Sequence, residues 1–153
     1  MDGFGQRFNI LYGSELDEKT EDEVLTYVVS KFHDELAKRV SAGENVVIDH
    51  FLQEPHWAED FADKFADYKV ILIRIECPLD VLKLREKKRD DYRKEGTAEY
   101  HFNRVHINRQ YDFEVNTASM PSVKCAEAIV SYLENPNNSN ERTTRQKVLG
   151  KEN

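Results

Sequence analysis

The sequence predicts an α/β protein, a parallel sheet with flanking helices. Two kinds of segment lead to that class. In several stretches apolar residues recur at three- and four-residue steps, the period of an amphipathic helix. Between them lie short β-branched runs without polar alternation, as in strands covered on both faces. Their order (helix, strand, helix, strand, helices, strand, helix) is the alternation that builds a parallel sheet through right-handed crossovers. At 153 residues the chain suits one core and is short for two. One domain is expected, over residues 1–134, followed by a polar tail.

Residues 1–16 hold three of the six glycines and no sustained period, so they read as a loop or a strand remnant. Thr20-Glu21-Asp22-Glu23 has the form of a capping box, with its acids near the positive end of a helix dipole. Leu25, Val28, Val29, Phe32, Leu36 and Val40 then keep a helical period up to a stop at Gly43. Asn45-Val46-Val47-Ile48-Asp49 is a buried strand by composition. Pro55 suits a first helical turn, and Trp57, Phe61 and Phe65 share one face of a helix running to about Asp67. Val70 to Ile75 is the most apolar stretch and reads as a second strand, closed by Pro78.

From Leu79 to about Gln110 the chain is charged and helix-prone, with Gly96 dividing it in two. Tyr111 to Thr117 is a short strand or an extended loop. Ser122 is placed to cap a last helix carrying Val123, Ala126, Ile129, Val130 and Leu133. Residues 135–153 are polar without a period and read as a disordered tail.

Composition narrows the function. With 22 basic against 29 acidic residues, a net charge of −7 argues against a binder of nucleic acid or of anionic membranes. The segment Lys83–Arg109 is locally basic, nine residues against five. No apolar run reaches the ~20 residues of a membrane helix and no signal peptide is legible, so a cytoplasmic protein is expected. Cys77 and Cys125 form neither a disulfide framework nor a metal-ligand spacing, and read as core thiols.

Ligands of parallel sheets bind at the carboxyl ends of the strands, which draws attention to Asp49, Cys77 and Thr117. Asp49 ends a strand, where a carboxylate can hold Mg²⁺ directly or through water; its other reading is a turn cap. His50 reads as a loop histidine and His106 as a packed or surface one. Arg85, Arg89 and Arg93 recur every four residues and on one helix would offer three guanidinium groups to phosphate. Against this, Glu86, Asp90 and Asp91 stand close enough to pair with them on a solvated face. No Gly-x-x-x-x-Gly-Lys-Ser/Thr occurs in these residues, so they hold no phosphate-cradling loop.

From about Lys38 to Leu133 the chain resembles the chloramphenicol phosphotransferase-like P-loop kinases. Val105-His106-x4-Tyr111-Asp112-Phe113-Glu114-Val115-Asn116-Thr117 and Cys125-Ala126 are similar to that family's Val-His-x4-Tyr-Asp-x-x-Val-Asp-Thr and Glu-Cys-Ala. Val47-Ile48-Asp49 with Phe51-Leu52, then Glu76-Cys77, then Arg85-Glu86-x2-Arg89-x-Asp91 add blocks in the same order.

The resemblance implies a P-loop-kinase-like sheet and transfer of the ATP γ-phosphoryl group, with Mg²⁺, to a hydroxyl of a small molecule. It implies Asp2, in Met1-Asp2-Gly3-Phe4, as the base for that hydroxyl, Asp49 as the Mg²⁺-associated carboxylate, and Arg85, Arg89 and Arg93 as the phosphate lid. It also implies departures. His50 stands where family members carry a second Asp, and the opening strand, P-loop and helix are missing, so the domain is expected to be incomplete at its N-terminus. In the implied strand order 2-3-1-4-5 the missing strand is central. The expectation is then a truncated or impaired kinase, closure of the two flanking strands, or a second chain or dimer partner filling the slot. The alternative is a catalytically inactive kinase-like module for binding or regulation.

Overall fold

The computed structural model describes residues 20–89, 95–138 and 141–150. The chain divides into two units, residues 1–47 and 48–153. In the first, helix α1 spans Glu21–Ser41. Its expected capping box is present: the Glu23 N–H donates to Thr20 Oγ1 at 3.4 Å, and Glu23 Oε2 accepts from the Thr20 N–H at 2.8 Å. Each end of the box satisfies a helix N–H that has no partner inside the helix. Lys38 and Arg39 sit in the last turn, favourable to the dipole, before the stop at Gly43.

The strand expected at Asn45–Asp49 does not form. Among the described residues nothing pairs with this run, and Val47 is 99% exposed. A β-branched composition favours a pleated, half-buried surface, but only a neighbouring strand can supply the hydrogen-bond ladder.

The second unit holds the sheet. Helix α2 spans Pro55–Lys64 and buries Trp57, Ala58, Phe61 and Ala62, with Phe65 stacked on Phe61 at 4.5 Å. Strand β1 (Ile73–Glu76) pairs in parallel with β2 (Phe113–Asn116), Ile73 opposite Phe113 and Glu76 opposite Asn116. Between them run α3 (Leu79–Lys87) and α4 (Thr97–Phe102), then a turn region, and after β2 comes α5 (Ser122–Glu134). The parallel pair with helical crossover matches the expected α/β class, with two strands among the described residues.

Local chemistry explains the boundaries. Gly96 takes φ +96 at the start of α4, a left-handed conformation that costs glycine nothing. Ser122 is the first residue of α5 and not its cap; the cap position is Pro121, without a side-chain bond. Val115 and Cys125 are buried where α5 covers β2, and Phe113 stacks on Tyr132 at 4.6 Å. Both cysteines are free and buried, as expected of core thiols.

The largest departure from expectation lies in the polar tail. Helix α6 (Thr144–Leu149) forms there and packs on α2, opened by a second capping box between Thr143 and Gln146. It buries side chains that hydropathy alone would leave in water. Lys147 Nζ donates to Asp112 Oδ2 at 2.9 Å and to the Val70 carbonyl at 2.7 Å, with only 1% and 6% of the two charged side chains exposed. Asp112 Oδ2 also accepts from the Leu72 N–H at 2.8 Å. Thr144 Oγ1 donates to the Phe65 carbonyl at 3.0 Å. Arg109 reaches the carbonyls of Val148 and Leu52. At Gly150, with φ +63, a Cβ would stand 2.3 Å from the Asn108 carbonyl oxygen, so the helix exit requires glycine. Val148 is fully buried among these polar anchors.

Removing one partner of a buried ion pair strands the other charge. Lys147→Ala is therefore expected to cost roughly 3–5 kcal/mol of stability in urea unfolding. Lys147→Met with Asp112→Asn, which removes both charges and keeps an acceptor for Leu72, should cost clearly less than Lys147→Met alone. Equal losses would show that the pair is not the brace.

Candidate functional site

The carboxyl ends of β1 and β2 lie side by side, and one arginine reaches the end of β2. Thr117, just after β2, donates its N–H to the Glu76 carbonyl at 2.9 Å and its hydroxyl to the same oxygen at 3.2 Å. From α3, Arg85 Nη1 donates to Thr117 Oγ1 at 3.0 Å and Nη2 to the Thr117 carbonyl at 2.6 Å. Arg85 thus forks onto the strand rim and, among the described residues, pairs with no carboxylate, although it remains exposed. A planar guanidinium held on neutral oxygens keeps its full charge for an anion.

The other expected site residues are dispersed. Helix α3 ends at Lys87, so Arg89 lies beyond it, exposed, its N–H bonded to the Glu86 carbonyl at 3.1 Å. Arg85 and Arg89 therefore do not lie within one described helix. The chain instead turns back on the Glu86 carboxylate, which accepts from the N–H of Ala98 at 2.8 Å and of Gly96 at 3.1 Å. Those two N–H groups, with the charge of Arg89, hold the Glu86 carboxyl below its usual range. Asp49 is exposed in a segment with no regular structure. Arg93 and Asp2 lie outside the described residues.

Two histidines gather polar groups that sequence spacing did not connect. On one face of the sheet, His106 Nδ1 and the Tyr111 hydroxyl lie 2.6 Å apart. Arg74 stands 6.0 Å from the Tyr111 ring and bridges Glu76 and Glu114 at 3.3 and 3.4 Å. Burial, then Arg74, pushes the His106 pKa down, while burial pushes the Tyr111 hydroxyl up. Both groups are therefore held neutral.

The second is His101 on α4. Its Nδ1 lies 2.6 Å from Gln53 Oε1, and the rings of Phe51 and Tyr100 meet it edge-on at 5.2 and 5.3 Å. Arg104 covers Tyr100, 4.2 Å from the ring centroid. Burial, then the Arg104 charge, lowers the His101 pKa. The signal for His101 was not readable from spacing, because Gln53 is 48 residues away.

With this geometry in view, comparison with known families is informative: the chloramphenicol phosphotransferase-like family matches residues 7–134. The chain belongs to that family. No curated protein and no solved structure matches it. The family match covers the sheet, α1 to α5 and the Arg85 fork, and it stops before α6.

The neutral His106 gives a pH prediction. A histidine whose folded pKa lies below its ordinary value of 6.5 binds fewer protons folded than unfolded. Its contribution is fully present above 6.5 and is lost as the pH falls through the lowered folded value. Stability from denaturant unfolding should be level from pH 8 to 7 and fall toward pH 5.5, and His106→Gln should reduce that slope. An unchanged slope would show that His106 is protonated without penalty in the fold.

Proposed function

We propose that this chain is an ATP-dependent phosphotransferase acting on a hydroxyl of a small molecule. The observation that carries the reading is membership of the chloramphenicol phosphotransferase-like family over residues 7–134. The Arg85 fork supports it. A guanidinium bonded to neutral oxygens at the carboxyl rim of a parallel sheet is where, and what, an incoming phosphate needs.

The side chains fit the implied cofactors in kind. Arg85 and Arg89 are exposed cations on the α3 side of the rim, and Asp49 is an exposed carboxylate. Among the described residues no group of three His, Cys, Asp or Glu could cage a cation. Mg²⁺ would therefore keep most of its waters and be held through Asp49 and nucleotide oxygens. ATP supplies the phosphoryl group when bound. Arg85 would exchange Thr117 oxygens for phosphate oxygens, and Arg89, with Arg93, would add charge against the transferring group. Asp2 would take the acceptor's proton, as the resemblance implies.

A second reading is a kinase-like binding or regulatory module without catalysis. It is favoured by the lack of a Gly-x-x-x-x-Gly-Lys-Ser/Thr loop in these residues and by His50 in place of a second Asp. A second chain or dimer partner completing the sheet remains part of the proposal, since β1 and β2 each pair on one side only among the described residues. Among those residues no helix is long and apolar enough to cross a membrane.

Calorimetric titration with Mg-ATP separates the readings. The phosphotransferase should bind in the micromolar range, and Arg85→Ala or Arg89→Ala should weaken binding about tenfold or more, the value of one or two charge-assisted hydrogen bonds. No heat at millimolar nucleotide would sink the enzyme and leave the module.

A further inference from the structure

We infer that Thr117 is an internal competitor for the phosphate fork of Arg85, so that the free chain occupies its own anion site and a phosphate group must displace Thr117 to enter. Hydrogen positions at the fork follow by elimination. A guanidinium has five N–H groups and no acceptor, so Arg85 donates at both contacts, from Nη1 to Thr117 Oγ1 at 3.0 Å and from Nη2 to the Thr117 carbonyl at 2.6 Å. The hydroxyl, accepting from Arg85, turns its own hydrogen to the Glu76 carbonyl at 3.2 Å, an oxygen that also takes the Thr117 N–H at 2.9 Å. Thr117 is thereby tied twice to the end of β1, and its two oxygens meet the two Nη groups side by side. Two oxygens on two Nη groups is also the pattern in which a phosphate meets an arginine bidentately. Thr117 supplies the geometry of that anion without its charge.

The charge of Arg85 stays uncompensated because the acids beside it are engaged elsewhere. Glu76, at the end of β1, pairs with Arg74 at 3.3 Å. Glu86, next to Arg85 in sequence, accepts from the N–H groups of Ala98 and Gly96 at 2.8 and 3.1 Å. Among the described residues Arg85 donates to the neutral Thr117 oxygens alone. An oxyanion holds a guanidinium more strongly than a neutral oxygen does, because both partners are then ionised. Phosphate therefore wins the exchange. Release is also reversible: the Arg85 contacts are exposed, so water can replace Arg85 on Thr117, and the two Thr117 bonds to Glu76 do not depend on Arg85.

A contact present in the free chain and lost in the complex opposes binding, since apparent affinity falls with the fraction of chains in which the site is free. Thr117 thus sets how much phosphate is needed to engage Arg85. The sign is the useful part. Removing a residue that holds the ligand weakens binding, whereas removing this competitor tightens it. That the phosphate arrives on a nucleotide rests on the phosphotransferase reading; the competition itself rests on the fork.

The test is calorimetric titration of the full chain with inorganic pyrophosphate, which carries the charge and no nucleoside. Thr117→Val keeps the side-chain shape, the carbonyl and the backbone N–H on Glu76, and deletes only the hydroxyl. It should bind pyrophosphate roughly threefold to tenfold more tightly than the wild type, the value of about one hydrogen bond. Thr117→Ser, which keeps the oxygen, should bind as the wild type does. Adding Arg85→Ala to Thr117→Val should abolish the gain, because it is felt through Arg85. Equal or weaker binding by Thr117→Val, a gain that survives the loss of Arg85, or no binding by any of these chains overturns the inference. Nitrogen-15 NMR of the arginine side chains without ligand gives a readout apart from binding. The two Arg85 Nη groups should be distinct in the wild type and move toward one averaged signal in Thr117→Val; an averaged signal in the wild type overturns the fork. If the wild type fails to bind Mg-ATP while the pyrophosphate series holds, the phosphotransferase reading falls and the competition stands.

Discussion

The ion pair between Lys147 and Asp112 is the constraint on which the second unit depends. Its carboxylate orders the entry to both strands at once, because Asp112 takes the Leu72 N–H on its side chain and gives its own N–H to the Leu72 carbonyl. Its ammonium brings α6 against the same point and closes the Val70 carbonyl. Burying two charges is costly, and hydrophobic residues of equal volume can do as well energetically. What the pair supplies is placement. A two-stranded parallel sheet has little ladder to define its register, and one shared carboxylate at its start fixes where each strand begins.

This explains how the sequence could show most elements and still conceal the fold's brace. Periodicity marked α1, α2 and α5, and β-branched composition marked β1, because in each case burial of apolar side chains decides the structure. Helix α6 is held by Lys147, Thr144 and Arg109, residues whose burial depends on partners 35 to 79 positions away. Local signals were present in Thr143 with Gln146 and in Gly150, but a capping box without an apolar period is weak evidence. The Asn45–Asp49 run shows the opposite case, with strong local preference and no partner to realise it.

The site was legible to a similar degree. Arg85 was expected in a phosphate lid from its series and from family resemblance, and the structure adds its fork onto Thr117. Arg89, expected on one helix with Arg85, lies past the end of α3 at Lys87, where the Glu86 carboxylate is taken up by the Gly96 and Ala98 N–H groups. His101 was invisible for a different reason. What singles it out is its contact with Gln53, 48 residues away, and no composition or spacing records that.

One further consequence concerns behaviour in solution. Val46-Val47-Ile48 has no regular structure, with Val47 bare to water, and β1 offers Ile75, 54% exposed, on a strand with one partner among the described residues. Stretches of this kind can template sheet growth between molecules. The excess of seven negative charges keeps chains apart at neutral pH. That repulsion vanishes near the isoelectric point of about 5.3. Mild acid therefore removes the colloidal protection in the same direction of pH change that works against the neutral, half-buried His106, so solubility and stability fall together on acidification.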